Sequence, residues 1–531
     1  MSMKRIIISI AAAAVSAGLA AQNLNPEVQV TNEYQTRLND VAKQGPEMVV
    51  PDSLLRFDYH FDYSVLDSPY KGSYEFSPYS VAITPEPRSY DGRKLYLSGG
   101  LGWVFRPELD VVWAAVDRKR FALNVFGRAD GFWGKYRYIV PSTFELSKEN
   151  FHKGWDFSTG VGVDARFKLG KVNFRAEAGY DGVYAGHEIY HRDNCHAPYA
   201  LVRFGINPGR KFSWNGGVSY RYVHDWLNGQ TPIQDHEVLA DLTLSTRPRA
   251  DYRLNADLNV VANSFYWGLG VHPHAIFQLE DLDIDAGFRL GWVADKFSAS
   301  PDITAAVHLF NDYLKVYAGA TGRDHYTMYW DYKTRVHRYF GESYGSPLPV
   351  REIADVFLGL NGHADIGFQY DIKAGYRWVK DAPFWAVSDA GLECLAFQDC
   401  SMFHADLALS WASERFNLDG VAHLVKLPQG VPMEVFEPSL VTGTIKGGYN
   451  WRKRIYAGLS VDMASARVAM VRGLERKMPG YADLGLWGEY HMNSRLAFWL
   501  KGSNLLNHDV RVSPLYSQYG PSVIVGATFS L

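Results

Sequence analysis

Three cysteines in 531 residues are too few for a disulfide-stapled scaffold. Beyond residue 21 no stretch approaches the roughly 18 consecutive apolar residues of a membrane-spanning helix. Lys and Arg total 54 against 57 Asp and Glu, so there is no global basic field and no nucleic-acid partner is expected. No nucleophile elbow or zinc-protease helix is read in the chain. Ser and His residues of the irregular segments, His325 and Ser343 among them, follow no ordered spacing. The expectation is therefore no enzyme and no cofactor. The glycine-rich piece Gly99-Gly100-Leu101-Gly102 lies inside an alternating run and precedes no helix, so it is no phosphate loop. Glycine there eases strand curvature or close packing.

What is abundant is aromatic. Tyr occurs 33 times and Trp 15 times, although the mean hydropathy is only -0.20. Amphipathic rings in such numbers suit the two interfaces of a lipid bilayer. The N-terminus reads as a secretion signal over residues 1–21. Lys4 and Arg5 form its basic start, Ile6 to Ala17 its apolar run, and the small residues near Ala20 and Ala21 its cleavage site. A secreted chain without helical spans is either a soluble all-β protein or a transmembrane barrel.

Periodicity separates the two. Tyr252, Leu254, Ala256, Leu258 and Val260 alternate with Arg253, Asn255, Asp257 and Asn259. Ile366, Phe368, Tyr370, Ile372, Ala374, Tyr376 and Trp378 alternate with Gly367, Gln369, Asp371, Lys373, Gly375 and Arg377. Soluble strands run about five or six residues. These runs reach about ten, the length a tilted strand needs to cross a bilayer. The charged face must be wet, so the apolar face meets lipid. Short, often basic turns such as Lys168 to Lys171 and Asn450 to Arg454 alternate with long irregular segments such as Asp130 to Trp155 and Lys380 to Met402. Short connections on one rim and long ones on the other are a barrel's signature. The expected fold is all-β: an antiparallel transmembrane barrel over residues 93–531, about 22 strands (range 18–24), both ends periplasmic. Residues 22–92 hold one alternating run amid Pro51, Pro69, Pro78, Pro85 and Pro87. They are expected to form an extended N-terminal segment in the periplasm or the lumen.

Candidate functional residues follow from this frame. Arg221, Arg253, Asp257, Asp371, Lys373 and Arg377 are expected to face the lumen; their mixed signs argue against a one-sign ion filter. His187, His191, Cys195 and His196 form a weak metal candidate in an outer loop, since imidazole and thiolate suit zinc or copper. No metal is assigned to them, because polar loop residues explain the set as well. His272 and His274 share one face of a strand, with lumen-facing polar residues as the plainer reading. The aromatic stretch Arg323 to Tyr332 reads as interface aromatics, or as a surface that stacks on sugars or partner proteins. Cys394 and Cys400 fall in the expected outer loop 380–402, where so short a loop is able to bring two Cα atoms to roughly 4.4–6.8 Å. A Cys394–Cys400 disulfide is therefore expected, with Cys195 left over in another outer loop.

The C-terminus resembles a family. Leu496, Phe498 and Leu500, then Asn504-Leu505-Leu506-Asn507, Tyr519-Gly520-Pro521 and the stripe Val523, Val525, Ala527 and Phe529 are similar to the closing hairpin of TonB-dependent receptors. The last residue here is Leu531 rather than an aromatic. Tyr96, Gly99, Gly100, Gly102, Pro107 and Leu109 resemble the first hairpin of plug-less relatives of those receptors. The resemblance implies an outer-membrane location, contact with lipid and a transport role. Residues 22–92 are too few for the family's plug and TonB-contacting box, so TonB is not expected as a partner. The functional expectation is a passive or gated channel for a polar solute. The alternative is a non-transporting barrel that scaffolds a larger outer-membrane assembly with outer-membrane or periplasmic proteins.

Overall fold

The computed structural model describes residues 94–531 apart from short stretches in the connections, the longest being 338–346. The expected signal peptide 1–21 and the segment 22–92 lie outside the described residues. The first strands are β1 (Leu95–Trp103), β2 (Arg106–Arg118), β3 (Phe121–Ile139), β4 (Leu146–Leu169), β5 (Val172–His187), β6 (Asp193–Ile206), β7 (Phe212–Leu227), β8 (Ile233–Thr246) and β9 (Tyr252–Ala262). Next come β10 (Trp267–Leu279), β11 (Leu282–Val293), β12 (Lys296–Leu309), β13 (Leu314–His325), helix α1 (Tyr329–Arg335), β14 (Val350–Ala364), β15 (Phe368–Val387), β16 (Glu393–Ala412) and β17 (Phe416–Lys426). The chain ends with β18 (Val441–Trp451), β19 (Ile455–Ala464), β20 (Arg467–Val471), β21 (Leu474–Met478), β22 (Tyr481–His491), β23 (Leu496–Ser503), β24 (Arg511–Ser513), β25 (Tyr516–Ser517) and β26 (Ser522–Ser530).

Twenty-two of these strands form one antiparallel sheet, each paired to its sequence neighbour, and β1 pairs with β26 to close it. Closure removes every edge, which is how a sheet survives in lipid. The two remaining hairpins, β20–β21 and β24–β25, stand in the connections β19–β22 and β23–β26. Apolar side chains such as Leu254, Leu258, Val356, Leu358, Ile372, Leu500 and Val525 stay open on the outer face. Their alternate neighbours point into the lumen. This apolar belt is the lipid contact, and the chain is an outer-membrane barrel.

The inner rim is built from tight turns. Leu169 pairs with Val172 across the two residues 170–171, and Gly170 takes φ +60°. That left-handed conformation suits glycine in a two-residue hairpin. At the outer rim the strands run well beyond the membrane. β4 has 24 residues and β15 and β16 have 20 each, about twice a span. The segments 130–155 and 380–402, expected as irregular loops, are in large part continued strands. A bulge between Val379 and Ala382 re-aims β15, which then pairs with β16 up to Val387 and Glu393.

This corrects the cysteine expectation. Cys394 pairs with Ala386 and Cys400 with Val379, six positions apart on one strand. At about 3.3 Å per residue their Cα atoms stand roughly 20 Å apart, too far for a disulfide. Cys195 is no loop residue either: it is the third residue of β6 and fully buried.

Candidate functional site: the lid and the lumen wall

The outer mouth is crossed by a packed lid. The connection between β13 and β14 folds inward, and α1 lies against the lumen side of β6, β7 and β8. Tyr329, Trp330, Tyr332 and Val336 pack into one buried cluster with Val183, Cys195, Ala197, Val223 and Ile233 of that wall. The same cluster takes in Trp385 of β15, Leu395 of β16, Phe436, Ala469 of β20 and Met478 of β21. Backbone bonds tie these pieces together: Phe436 N donates to Trp385 O (2.8 Å) and Glu437 N to Val468 O (2.8 Å). The aromatic stretch that reads as interface aromatics or as a stacking surface is, from Met328 to Tyr332, the core of a lid. Its burial answers the hydrophobic effect rather than a ligand.

Charge fixes α1 to the wall. Lys333 is fully buried, with Nζ 2.6 Å from Asp193 Oδ2 and 2.9 Å from Asp225 Oδ2. Tyr329 Oη donates to Asp225 Oδ2 (2.5 Å), and the Trp330 amide donates to Glu237 Oε1 (2.9 Å). Arg221 lies under the Trp330 ring at 4.7 Å and pairs with Asp181 at 3.1 Å. Burial pulls the Lys333 ammonium toward neutrality, but the two carboxylates outweigh it and hold its pKa above the usual lysine value.

His337 is expected to make closure of the lid pH-dependent. His337 Nδ1 sits 2.5 Å from Asp156 Oδ1 on β4. Burial lowers the imidazole pKa, yet the Asp156 carboxylate more than offsets this and leaves it above 6.5. A raised pKa stabilises the closed lid fully below the unperturbed value, and that contribution is lost as pH rises through the raised one. Hydrogen exchange over residues 326–337, corrected for intrinsic rates, is expected to be slower at pH 6 than at pH 8. His337→Ala should shrink the difference, the remainder coming from Glu237 and Asp193, whose carboxyl pKa values burial raises; an equal pH difference in that variant would refute the latch.

Below the lid the lumen wall changes character. All four hydrophobic clusters among the described residues sit at the outer strand ends or in the outer connections. The wall beneath carries paired charges. Asp355 accepts from Lys373 Nζ (3.1 Å), Arg377 Nη2 (2.9 Å) and His404 Nε2 (2.7 Å). Arg377 Nε also reaches Glu352 (3.1 Å), and Asp371 accepts from Tyr317 (2.6 Å). Asp257 stands by His272 and Thr243, and Arg253 stands near the inner end of β9. Around Asp355 the signs balance, while the stretch at Asp257 is richer in carboxylates, so the wall is polar without a one-sign filter. The sequence brings Lys373 and Arg377 together on Asp355. It does not announce Asp355, His404 or Lys333, which sit on other strands or in the lid.

The weak metal set is not assembled. Cys195 and His196 are consecutive on β6 and project to opposite faces. Cys195 joins the lid cluster, whereas His196 Nδ1 lies 2.5 Å from the Tyr180 hydroxyl. The side chains of His187 and His191 lie outside the described residues. Two catalytic spellings are nonetheless present. His187-Glu188-Ile189-Tyr190-His191 matches a zinc-protease motif, and Gly341-Glu342-Ser343-Tyr344-Gly345 matches a nucleophile elbow. The first needs a helix to put both imidazoles on one face, but His187 ends strand β5. The second needs a strand-to-helix turn of an α/β sheet and falls in the β13–β14 connection of an all-β barrel, outside the described residues. Neither context supports catalysis.

No protein-family model and no curated protein matches the chain. Solved structures do. The siderophore receptor PirA from Acinetobacter baumannii superposes with a TM-score of 0.61 at 8% identity, over 83% of this chain and 80% of that one. The FrpB iron transporter from Neisseria meningitidis gives 0.61 at 10% identity, over 83% and 82%. The copper transporter OprC gives 0.58 at 13% identity, over 82% and 80%. At such identity the likeness is one of fold: the barrel is built like those of TonB-dependent receptors. That likeness gives no support to the expectation that TonB is not a partner. The expectation rests on residues 22–92, outside the described residues.

Proposed function

We propose that the chain is an outer-membrane transport barrel, a gated path for a polar solute whose outer mouth is held shut by the α1 lid. The carrying observation is the two-level lumen: a hydrophobic lid latched by Lys333 above, and a wall of ion pairs below. A barrel that served only as an anchor has no need of a polar wall beneath a latched lid. The fold relatives are described as a siderophore receptor, an iron transporter and a copper transporter, which supports reading this barrel as one for polar cargo. In this reading residues 22–92 are too short to form a plug, and the lid governs passage.

Planar-bilayer recording tests the proposal. The full chain is expected to show low conductance with brief openings, and removal of residues 22–92 should leave the lid-limited current in place. A lumen closed to ions in both forms, and in a form whose lid latch is broken, would refute transport and favour a scaffold.

A further inference from the structure

We propose that Asp257, His272 and His274 form a binding site for one divalent transition-metal ion on the lumen wall. The three residues come from two neighbouring strands. His272 and His274 stand two apart on β10 and share its lumen face, and Asp257 on β9 is the register partner of His272. One ligand atom from each of the three lies within 4.8 Å of the others. Asp257 Oδ2 is 3.2 Å from His272 Nδ1 and 3.5 Å from His274 Nε2. Ligand atoms about 2.0–2.1 Å from a tetrahedral zinc stand roughly 3.3 Å from one another, so both separations are those of a first coordination shell.

The outward nitrogens carry the stronger argument. His272 Nε2 lies 2.6 Å from Asp302 Oδ2, and His274 Nδ1 lies 2.8 Å from Asp285 Oδ1. Metal-bound imidazoles characteristically donate their second N–H to a carboxylate, which fixes the tautomer and ring orientation. His274 does so through Nδ1, whereas His272 Nε2 comes close to Asp302 without hydrogen-bond geometry, and each ring leaves its remaining nitrogen toward Asp257. The supports are themselves supported. Arg289 Nη2 donates to Asp302 (2.8 Å), and Thr243 Oγ1 donates to Asp257 Oδ1 (2.6 Å), leaving Oδ2 for the ion.

Neutral imidazole has one donor, yet each ring meets a carboxylate at both nitrogens. Without a cation, any ring that stays neutral turns a lone pair to a carboxylate, and if neither does, two imidazoliums stack at 4.4 Å. Three carboxylates against Arg289 also leave the site short of positive charge. A divalent ion resolves both conditions. Room for His274 is reserved by Gly287, its register partner on β11, where a Cβ would stand 2.5 Å from that of His274. Three protein ligands leave a fourth position open to water or a solute. Imidazole with carboxylate selects zinc, copper, nickel or cobalt over calcium and magnesium.

The site is testable without any transport assay, so its failure and that of the transport reading are separable. Untagged full-length protein in detergent is stripped with chelator and dialysed against zinc. About one ion per chain is expected to be retained, and cobalt in its place should give the visible absorption of a four-coordinate centre. His272→Ala/His274→Ala should lose the ion, and Asp302→Asn should weaken binding about 10–100-fold. His187→Ala/His191→Ala should bind as the parent does. Asp257→Asn serves beside the double substitution, with retained heat-modifiable migration as the check on folding. Absence of zinc from the parent would overturn the proposal. So would retention in folded Asp257→Asn and His272→Ala/His274→Ala proteins with loss in His187→Ala/His191→Ala.

Discussion

Lys333→Met is expected to open the outer mouth while leaving the barrel intact. Methionine fills nearly the same volume as lysine, so the change removes charge and little packing. It leaves Asp193 and Asp225 buried against each other with no cation between them, since both carboxylates reach Lys333 Nζ within 2.9 Å. Removing one partner of a buried pair costs about 3–5 kcal/mol, mostly through the uncompensated charge that stays behind. The strand ladders do not depend on Lys333, so the cost falls on docking of α1. A few kcal/mol is enough to shift a local opening equilibrium several hundred-fold. Hydrogen-exchange protection over residues 326–337 should collapse, and bilayer current should rise sharply, with the folded barrel unchanged on an unheated gel. Adding Asp193→Asn and Asp225→Asn should restore much of the protection, because neutral groups tolerate burial without the cation. Protection unaltered by Lys333→Met would mean that the aromatic packing alone holds the lid.

The lid is also where sequence reading stops short. The barrel was legible because lipid on one side and water on the other impose period-two alternation on every crossing strand. Leu254, Leu258 and Val260 show it plainly, and all 22 expected strands have a counterpart in the closed sheet. Above the membrane that constraint ends. Ala382, Phe384, Trp385 and Ala386 are buried on both faces of β15, against the lid on one side and neighbouring connections on the other. Alternation vanishes there, and proline and aspartate turns suggest a loop. The segment's cysteines are accordingly misread as loop partners. The lumen site was half legible. Two histidines at i and i+2 declare a shared face, but Asp257, Asp285 and Asp302 reach them only through cross-strand register, which no single strand's sequence specifies. Lys333 gave no signal at all, because its partners lie 140 and 108 positions away in the chain and become neighbours only once α1 turns inward.

Closure of the barrel is expected to depend on one indole in a two-glycine notch. Gly100 on β1 and Gly526 on β26 face each other across the last ladder to form, and Trp499 on β23 is the register partner of Gly526. Trp499 is buried against the lumen side of this seam, and its Nε1 donates to Ser98 Oγ (3.1 Å), which meets Thr528 Oγ1 (3.1 Å). The ring covers both glycines so closely that a Cβ at Gly526 would stand 2.2 Å from it and one at Gly100 would stand 2.3 Å away. Trp499→Ala removes the indole, at a cost of about 3–5 kcal/mol for a large buried aromatic. Gly526→Val instead overfills the notch, at roughly 1–3 kcal/mol. Both act where the first and last strands meet, so both should lower the temperature at which the fast-migrating folded band is lost on a gel, Trp499→Ala more. The pair is predicted to be non-additive: in Trp499→Ala/Gly526→Val the valine occupies space the ring has vacated, and the midpoint should lie above that of Trp499→Ala alone. Gly420→Ala on β17, where a Cβ meets nothing within 4 Å, should leave the midpoint where it was. Strict additivity of the two seam substitutions would show that Trp499 and Gly526 act separately, and that the seam is held by its strand ladder rather than by the indole.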